Sequence, residues 1–594
     1  MPVSASKIYL GSTLVASGKT TDGTQWVRPA AWPAIPTVTA AEQKIVGLHA
    51  VWPGDGTGNG GNFFAFLASG AYTINFGDGT TTNYGSGVTA IYEYNFNSSA
   101  LAGTNCPVTF TASTGMVNRT AHGLSAEAEI RFYNILTTTG ISESQSYYVI
   151  NPTANTFQVS TTLGGSAVAF ANDGSATLLP YKVAIVTITP QAGQSLTSVN
   201  FQAKHTQTAL QSYGTGWLDL AISTPNVTGV NFGFGGITVS HRMLEQVNIV
   251  AIGALTSTSG LFRECVSLQS IPSLPNATTV TNMSNMFRNC HSLKSIPAFP
   301  GSVAAVTTMS GMFDTCYQLQ TIPPFPGSVA AVQNMAAMFN SCTSLTSIPA
   351  FPGSVAAVTT MIGMFSSCAS LQSIPPFPGS VAAVTTMSSM FSSCTALQSI
   401  PPFPGSVAAV TTMGSMFSSC ASLQSIPPFP GSVAAVTDMG SMFSSCRSLQ
   451  AIPPFPGSVA ALTLMGNMFS NCASLQTIPP FPGSLATVTA VNNMFLGCAA
   501  LHSIPSISLS GISSGVNGNQ FISGCSSLAR AQISGMRFSF SVASCKLSAV
   551  ALNEIFTGLP TVTGQTITVT GNYGINQAGY NPTIATAKGW TVTA

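Results

Sequence analysis

The cysteines of this chain recur at a fixed interval, and this regularity constrains the fold more than any other feature. A run of nine advances by 26 residues at every step: Cys290, Cys316, Cys342, Cys368, Cys394, Cys420, Cys446, Cys472 and Cys498. Cys265 precedes the run by 25 residues. A period of 20–50 residues is typical of a solenoid, in which each unit buries its apolar face only against its neighbours. The sequence therefore predicts a stack of similar coils that presents a long surface.

The unit that begins at Cys394 shows what each position contributes. The stretch Leu397–Ile400 ends at two prolines, which favours a short strand because proline lacks the N–H that a sheet needs. The next four residues, Phe-Pro-Gly-Ser, predict a turn. Apolar residues then recur at steps of three and four, as on a helix, at Val410, Met413, Met416, Phe417 and Cys420. We expect each coil to hold one strand, one turn and about two turns of helix.

The same spacing predicts which side chains form the core. Leu, Ile, Val, Met, Phe and Cys should point inward, and Ser, Thr and Gln outward. For the ladder cysteines we expect buried, reduced thiols that behave as small apolar groups. Zinc sites need Cys or His pairs two to four residues apart, and the repeats have none. Inter-coil disulfides remain the alternative, since adjacent coils lie within disulfide reach.

The pattern Met-x-x-Met-Phe-x-x-Cys-x-x-Leu-x-x-Ile recurs along the region 262–504. In this pattern the region resembles the leucine-rich repeats of BspA-like bacterial surface proteins. The resemblance implies an α/β leucine-rich-repeat solenoid of about ten coils, each of 26 residues. Residues 207–261 would cap its N-terminal end and residues 505–594 its C-terminal end. In the second cap we predict a helix at Leu547–Phe556 and strands at Thr566–Thr570 and Trp590–Thr593.

Composition excludes several classes of partner. Only 5% of the residues are Asp, Glu, Lys or Arg, and the net charge is +2, whereas ordinary globular chains carry about 25% charged residues. Without a basic stripe, nucleic-acid binding has no electrostatic basis. No apolar run approaches the ~18–20 residues of a membrane span, so we expect no membrane insertion. The first residues also lack the basic region and apolar core of a signal peptide.

Residues 1–53 form a candidate docking segment. Trp26, Arg28 and Trp32 lie in a proline-stiffened stretch, and Trp and Arg are enriched at interface hot spots. The alternative is a lid that packs on the neighbouring domain. The sequence leaves both interpretations open.

Residues 54–206 predict a β-rich domain. Strand-like runs at Phe63–Ser69, Tyr72–Phe76 and Ile91–Phe96 surround Asp78-Gly79, a strong hairpin signal. These motifs resemble the polycystic-kidney-disease-type (PKD) β-sandwich, whose last strand would be Lys182–Thr189. The long gap before that strand implies an inserted β module at about 103–179. For Asp78 the sequence favours a turn residue over a calcium ligand.

The predicted insert carries a further resemblance. The segments Thr120–Leu124, Tyr147–Ile150 and Asn155–Ser160 resemble a small β module that recurs in virion proteins of tailed phages. The stretches Lys7–Ser12 and Trp26–Pro29 also look like parts of phage structural proteins that carry such repeats. The resemblance implies a mainly β, multidomain N-terminal region that attaches to other virion proteins.

No motif in the sequence indicates catalysis. It contains no nucleophile elbow, phosphate-binding loop or zinc signature, and His122 has no carboxylate or nucleophile pattern beside it. We therefore expect no enzymatic activity, no catalytic residue, no metal and no cofactor.

The best interpretation is a non-enzymatic virion structural protein, a tail fibre or receptor-binding appendage used for host attachment. Its expected partners are other virion proteins and a host-surface glycan or protein. A homo-oligomer is expected, with a trimer favoured. The alternatives are a capsid decoration or head-fibre protein, and a cellular surface adhesin.

Overall fold

The computed structural model describes residues 7–10, 13–16, 33–51, 63–95, 98, 100–101, 106–119, 129–130, 132–142, 145, 147–162, 165–178, 182–201, 203, 216–232, 244–269, 271–510 and 520–594. The chain contains a mostly-β solenoid of about thirteen turns, with few helices. It divides into two compact units. The first comprises Met1–Thr279 and Met286–Pro300, and the second Val280–Asn285 and Gly301–Ala594.

The first unit begins with a short hairpin and continues into two sheets, whose strands are interrupted in sequence by an insert with a sheet of its own. Its strands before the insert are β1 (Lys7–Leu10), β2 (Thr13–Ala16), β3 (Lys44–Val51), β4 (Phe63–Ser69), β5 (Tyr72–Asn75), β6 (Thr81–Tyr84) and β7 (Ala90–Glu93). The insert contributes β8 (Cys106–Thr111), β9 (Met116–Asn118), β10 (Glu129–Ile130), β11 (Phe132–Leu136), β12 (Tyr147–Ile150), β13 (Thr156–Ser160) and β14 (Gly174–Leu178). The later strands are β15 (Lys182–Pro190), β16 (Ser198–Asn200), β17 (Trp217–Thr224), β18 (Gly229–Asn231) and β19 (Gln246–Ile252).

The insert is a seven-stranded sheet with its own core. Its strand order is β10-β12-β13-β9-β8-β14-β11. Phe110 meets Phe132 and Phe170 edge-on, with ring centroids 5.1 and 4.9 Å apart. These rings belong to a cluster of buried side chains drawn only from the insert, so the module needs no other part of the chain to complete its core.

The remaining strands form a six-stranded sheet, β19-β17-β3-β15-β5-β6, and a four-stranded sheet, β18-β16-β4-β7. Aromatic side chains join the two. Phe64 on β4 meets Trp217 on β17 with ring centroids 5.4 Å apart, and Phe201 meets Trp217 at 5.6 Å. All three rings are buried, so the two sheets share one aromatic core.

Strand β17 changes the expected role of residues 207–261. Every residue of β17 is buried. The strand pairs antiparallel with β3 on one side and parallel with β19 on the other. The predicted cap is therefore continuous with the sheet of the preceding domain, because β3 covers the edge that a separate cap would leave open. Removing residues 1–206 would expose this edge.

In the second unit the predicted strand and helix of each coil are wrong. Between Gly301 and His502, a range described without gaps, no helix is present. Adjacent coils are joined by isolated parallel bridges such as Thr386 to Thr412. The reason is backbone conformation: Ser415 and Ser419 have φ of 56° and 61°. The left-handed region interrupts a right-handed helix at once.

Along this arc, backbone hydrogen bonds alternate between two destinations. Every second N–H donates to the following coil: Met413 to Asp438 at 2.9 Å, Ser415 to Gly440 at 2.8 Å, Phe417 to Met442 at 2.9 Å and Ser419 to Ser444 at 2.6 Å. The intervening N–H groups of Met416, Ser418 and Cys420 donate to carbonyls three residues earlier. Along Met413–Ser419 each coil is thus a series of tight turns, and the N–H groups of Met413, Ser415, Phe417 and Ser419 donate to the next coil.

The predicted core positions are confirmed. Leu397, Val410, Met413, Met416 and Phe417 are fully buried, while Gln398 and Thr411 are exposed. The phenylalanine rings stack directly between coils, with Phe417 lying 5.6 Å from both Phe391 and Phe443. The apolar spacing therefore identified the inward face correctly, although the backbone that carries it is not helical.

The proline-rich arc is held more loosely. Pro401, Pro402 and Pro404 carry no N–H and cannot donate to a neighbour. The backbone bond from Gln424 to Gln398 near this arc measures 3.2 Å, against 2.6 Å at Ser419. Phe403 lies 6.3 Å from Phe429, farther than the 5.6 Å between rings on the opposite arc. The phenylalanine rings of adjacent coils are therefore farther apart on the proline side.

The C-terminal region combines strands with short helices. Its elements are β20 (Ser503–Ser508), β21 (Arg530–Ser534), β22 (Phe540–Ser541), α1 (Ala549–Gly558), β23 (Gln565–Thr568), a 3-10 helix (Tyr573–Asn576), α2 (Thr583–Thr586) and β24 (Trp590–Thr593). Ser548 caps α1 by accepting a hydrogen bond from the N–H of Ala551 at 3.2 Å. Lys588 donates to three carbonyls at the other end of α1. The predicted helix and both predicted strands are confirmed, with every boundary within two residues of its predicted position.

Within the part of the chain that the structure describes, no helix is long and apolar enough to cross a membrane.

Replacing Phe417 with Ala should lower the free energy of unfolding by about 3–5 kcal/mol, because the ring is fully buried between two others. Denaturant unfolding followed by circular dichroism measures this. The exposed Ser399→Ala control should change it by less than about 0.5 kcal/mol. A loss below ~1 kcal/mol for Phe417→Ala would show that the ring is not part of the core.

Substitutions at Ser415 test the left-handed backbone conformation. Gly311 and Gly363 occupy the equivalent position in other coils with φ of 59° and 58°. Ser415→Gly should leave thermal stability unchanged or raise it by up to about 1 kcal/mol. Ser415→Val should lower the free energy of unfolding by about 1–3 kcal/mol, because a β-branched residue resists positive φ. Equal effects of the two substitutions would contradict the assigned conformation.

Candidate interaction surface of the repeats

The cysteine ladder lies inside the coils and contributes to packing. In each coil from Cys342 to Cys498 the thiol donates to the carbonyl of a phenylalanine 29 residues earlier, at 2.9–3.1 Å. All the ladder cysteines predicted from the sequence are fully buried. Among the described residues, twelve cysteines are present as thiols.

Burial also sets the chemistry of these thiols. It raises the pKa of Cys420 and of Cys472 to about 12, and it raises the pKa of Cys394 and of Cys446 well above the ordinary value. A protonated thiol is neither a good nucleophile nor a metal ligand. Cys525 and Cys545 also lie in the core, but their spacing departs from 26 residues, so the periodicity did not reveal them.

A column of threonines runs along the exposed surface of the coils. In six successive coils the threonine hydroxyl donates to the backbone carbonyl of the preceding coil, at 2.9–3.2 Å: Thr359, Thr385, Thr411, Thr437, Thr463 and Thr489. The donor of each hydroxyl is therefore already engaged inside the solenoid. This column mainly holds the coils in register.

A second exposed column consists of glutamines, whose side chains are not hydrogen-bonded within the solenoid. Its members are Gln372, Gln398, Gln424, Gln450 and Gln476. Backbone bonds connect successive members, from 2.9 Å (Gln476 to Gln450) to 3.4 Å (Gln450 to Gln424). In contrast to the threonine hydroxyls, the side-chain amides of these five glutamines have no hydrogen-bond partner among the described residues.

Two further exposed columns follow the glutamines on the same arc of each coil. One position after each glutamine lie Ser373, Ser399, Ser425, Ala451 and Thr477, and four positions after it lie Pro376, Pro402, Pro428, Pro454 and Pro480. We call these three columns together the glutamine face. It combines free amides, hydroxyls and proline rings, and contains no charged residue.

Other candidate residues from the sequence fall elsewhere. Trp26, Arg28 and Trp32 lie outside the described residues, as does His122. Asp78 lies in the turn between β5 and β6, where one carboxylate oxygen accepts from the N–H of Thr80 at 3.0 Å and the other from the hydroxyl of Tyr92 at 2.5 Å. This geometry favours the turn residue over the calcium ligand. No group of three or more His, Cys, Asp or Glu among the described residues could hold a metal.

Comparison with known sequences gives one family. Its description is "Mycoplasma protein of unknown function, DUF285", and it matches residues 256–377, 327–428, 359–479 and 385–508. These overlapping matches coincide with the repeats and leave the N-terminal region uncovered. No curated protein matches the chain.

Among solved structures, the chain is similar to a leucine-rich repeat protein from Bacteroides ovatus, with 16% identity and a TM-score of 0.30, covering 68% of this chain and 97% of that one. It is also similar to the functional domain of InlJ from Listeria monocytogenes, which includes a cysteine ladder. There the identity is 12% and the TM-score 0.18, with 63% of this chain and 74% of that one covered. A Toll–Spatzle complex from Drosophila gives 13% identity and a TM-score of 0.19, covering 58% and 50%.

The raised pKa values predict a loss of stability at alkaline pH. Between pH 9 and about 12 the unfolded thiols ionise while Cys420 and Cys472 stay protonated in the folded state. The folded state then binds more protons, so the free energy of unfolding falls as pH rises, by up to about 1.4 kcal/mol per pH unit for each such cysteine.

Urea unfolding at a series of pH values from 8 to 11 measures this slope. The variant Cys420→Ala, compared with the unchanged protein, should show a shallower decline above pH 9. Identical slopes for the two proteins would mean that the thiol ionises equally easily in the folded state.

Proposed function

We propose that this chain is a non-enzymatic structural protein of a tailed-phage virion, a tail fibre or receptor-binding appendage that presents its solenoid for adhesion. The observation that carries the adhesive role is the repetition of one uncharged surface at every coil. Gln398, Ser399 and Pro402 recur with the same exposure in the neighbouring coils, and backbone bonds hold the glutamines in register. Such an array suits contacts that are individually weak and strong in sum.

The virion assignment draws its support from the N-terminal region. The stretches Lys7–Ser12 and Trp26–Pro29 and the insert resemble parts of tailed-phage structural proteins. The insert has a core of its own, as an independently inherited module would. In this proposal Trp26, Arg28 and Trp32 dock the chain to other virion proteins, and the particle carries it as a homo-oligomer, with a trimer favoured. The same region could serve a capsid decoration or head-fibre protein.

The finer assignment of the two sheets around the insert is a PKD-like sandwich. Its support is the hairpin at Asp78-Gly79, the shared aromatic core around Trp217, and the position of the insert between β7 and β15. The parallel strands β17 and β19 extend the sheet beyond a simple antiparallel sandwich.

A cellular surface adhesin is the second candidate. It is favoured by the resemblance of the repeats to BspA-like bacterial surface proteins and by the family match, whose description names a cellular organism. Both candidates assign the same adhesive role to the solenoid. They differ in whether a phage particle or a cell displays the protein.

The triple variant Trp26→Ala, Arg28→Ala, Trp32→Ala of the full-length chain tests the docking role. We expect it to fold normally by circular dichroism and to be missing from purified virions on a denaturing gel. Its control is Arg447→Ala, which removes an exposed arginine from the repeats and should leave incorporation unchanged.

Two outcomes would count against the proposal. Normal incorporation of the triple variant would remove these residues from docking. Absence of the unmodified protein from virions, together with its detection on intact cells, would replace the virion assignment with the cellular adhesin.

A further inference from the structure

We propose that the glutamine face binds a linear, uncharged glycan, with about one sugar ring per coil. This inference rests on the proposed adhesive function and names the ligand class and the surface that binds it.

The first argument is hydrogen-bonding capacity. A glutamine amide offers two donors and an acceptor, which match the hydroxyl groups of a sugar. The amides of Gln372, Gln398 and Gln424 are exposed and have no partner among the described residues. The hydroxyls of the threonine column already donate to carbonyls, as Thr411 does to Thr385 at 3.1 Å. The glutamine column therefore presents free donors where the threonine column does not.

The second argument is charge and composition. From Gln372 to Pro480 the three columns of this face contain only Gln, Ser, Ala, Thr and Pro. A charged polymer would find no counter-charge there. A protein partner is also disfavoured, because protein interfaces depend on buried aromatic and arginine anchors, and this face has none. An uncharged polyhydroxylated chain fits both conditions.

The third argument is spacing. Backbone hydrogen bonds place each glutamine directly beside its equivalent in the adjacent coil. The stacked phenylalanine rings of adjacent coils lie 5.6 Å (Phe417 to Phe443) to 6.3 Å (Phe403 to Phe429) apart, a step of the same order as the advance of one sugar ring along an extended glycan. The exposed rings of Pro376, Pro402 and Pro428 supply apolar surface for the C–H faces of the sugars. Affinity should therefore grow with the number of sugars bound.

The test uses the full-length protein and three series of neutral oligosaccharides of increasing length: cello-, malto- and chito-oligosaccharides. Isothermal titration calorimetry should show binding to at least one series, with an affinity that rises with chain length. Carboxymethylcellulose, a charged analogue, should bind more weakly than the cello-oligosaccharides if that series binds.

The variant Gln372→Ala, Gln398→Ala, Gln424→Ala should weaken that binding at least about tenfold, since three hydrogen-bonding groups are lost. The matched control is Ala382→Ser, Ala408→Ser, Ala434→Ser, which alters exposed residues in the same three units outside this face. It should bind as the unmodified protein does. Failure of all three neutral series to bind would overturn the inference, as would equal weakening by the two variants.

Adhesion to host cells separates this inference from the proposed function. If the unmodified protein adheres and the glutamine variant adheres equally well, the glycan-binding face is wrong and the adhesive function stands. If the unmodified protein adheres to no host surface while the oligosaccharides bind to the glutamine face, the adhesive function fails and the ligand class stands.

Discussion

The hydrogen bonds that each coil donates to the next along Met413–Ser419 are the interaction on which the repeats depend. All four of these bonds run from one coil to the next. The N–H groups between them donate within the coil and close tight turns. In an ordinary strand or helix one conformation repeats at every residue. Here the left-handed conformation of Ser415 and Ser419 aims the free donors at the neighbour. The inward side chains then stack in columns, since each coil is held in the same register as the last.

This bonding is concentrated on one arc, and the rest of the coil follows from that asymmetry. On the proline-rich arc the prolines have no N–H to donate. The rings of Phe403 and Phe429 there lie farther apart than those of Phe417 and Phe443. The side chain of Gln398 on this arc faces solvent, and its amide has no partner among the described residues. The arc that donates the bonds of Met413–Ser419 to the next coil and the arc that carries Gln398 are thus separate parts of one coil.

The sequence was sufficient to identify the buried positions and insufficient to predict the backbone. Burial follows from apolar spacing, and Leu397, Val410 and Phe417 lie where that spacing puts them. The helix predicted in each coil was wrong because a serine gives no local sign that its backbone is left-handed. Gly311 and Gly363, at the same position in other coils, do give that sign. The steady three-residue step from Val407 to Met416 was a further sign, since a helix repeats at 3.6 residues.

For the candidate surface, sequence alone could predict that threonine and glutamine point outward. It could not show that the hydroxyl of Thr411 is engaged while the amide of Gln398 is free, because the difference depends on a carbonyl in the adjacent coil, about one full period away. The interchangeable coils have a consequence for heredity. Gain or loss of one whole 26-residue unit recreates the same contacts at the new junction, so unequal recombination can change the number of coils in steps of one without disturbing the stack.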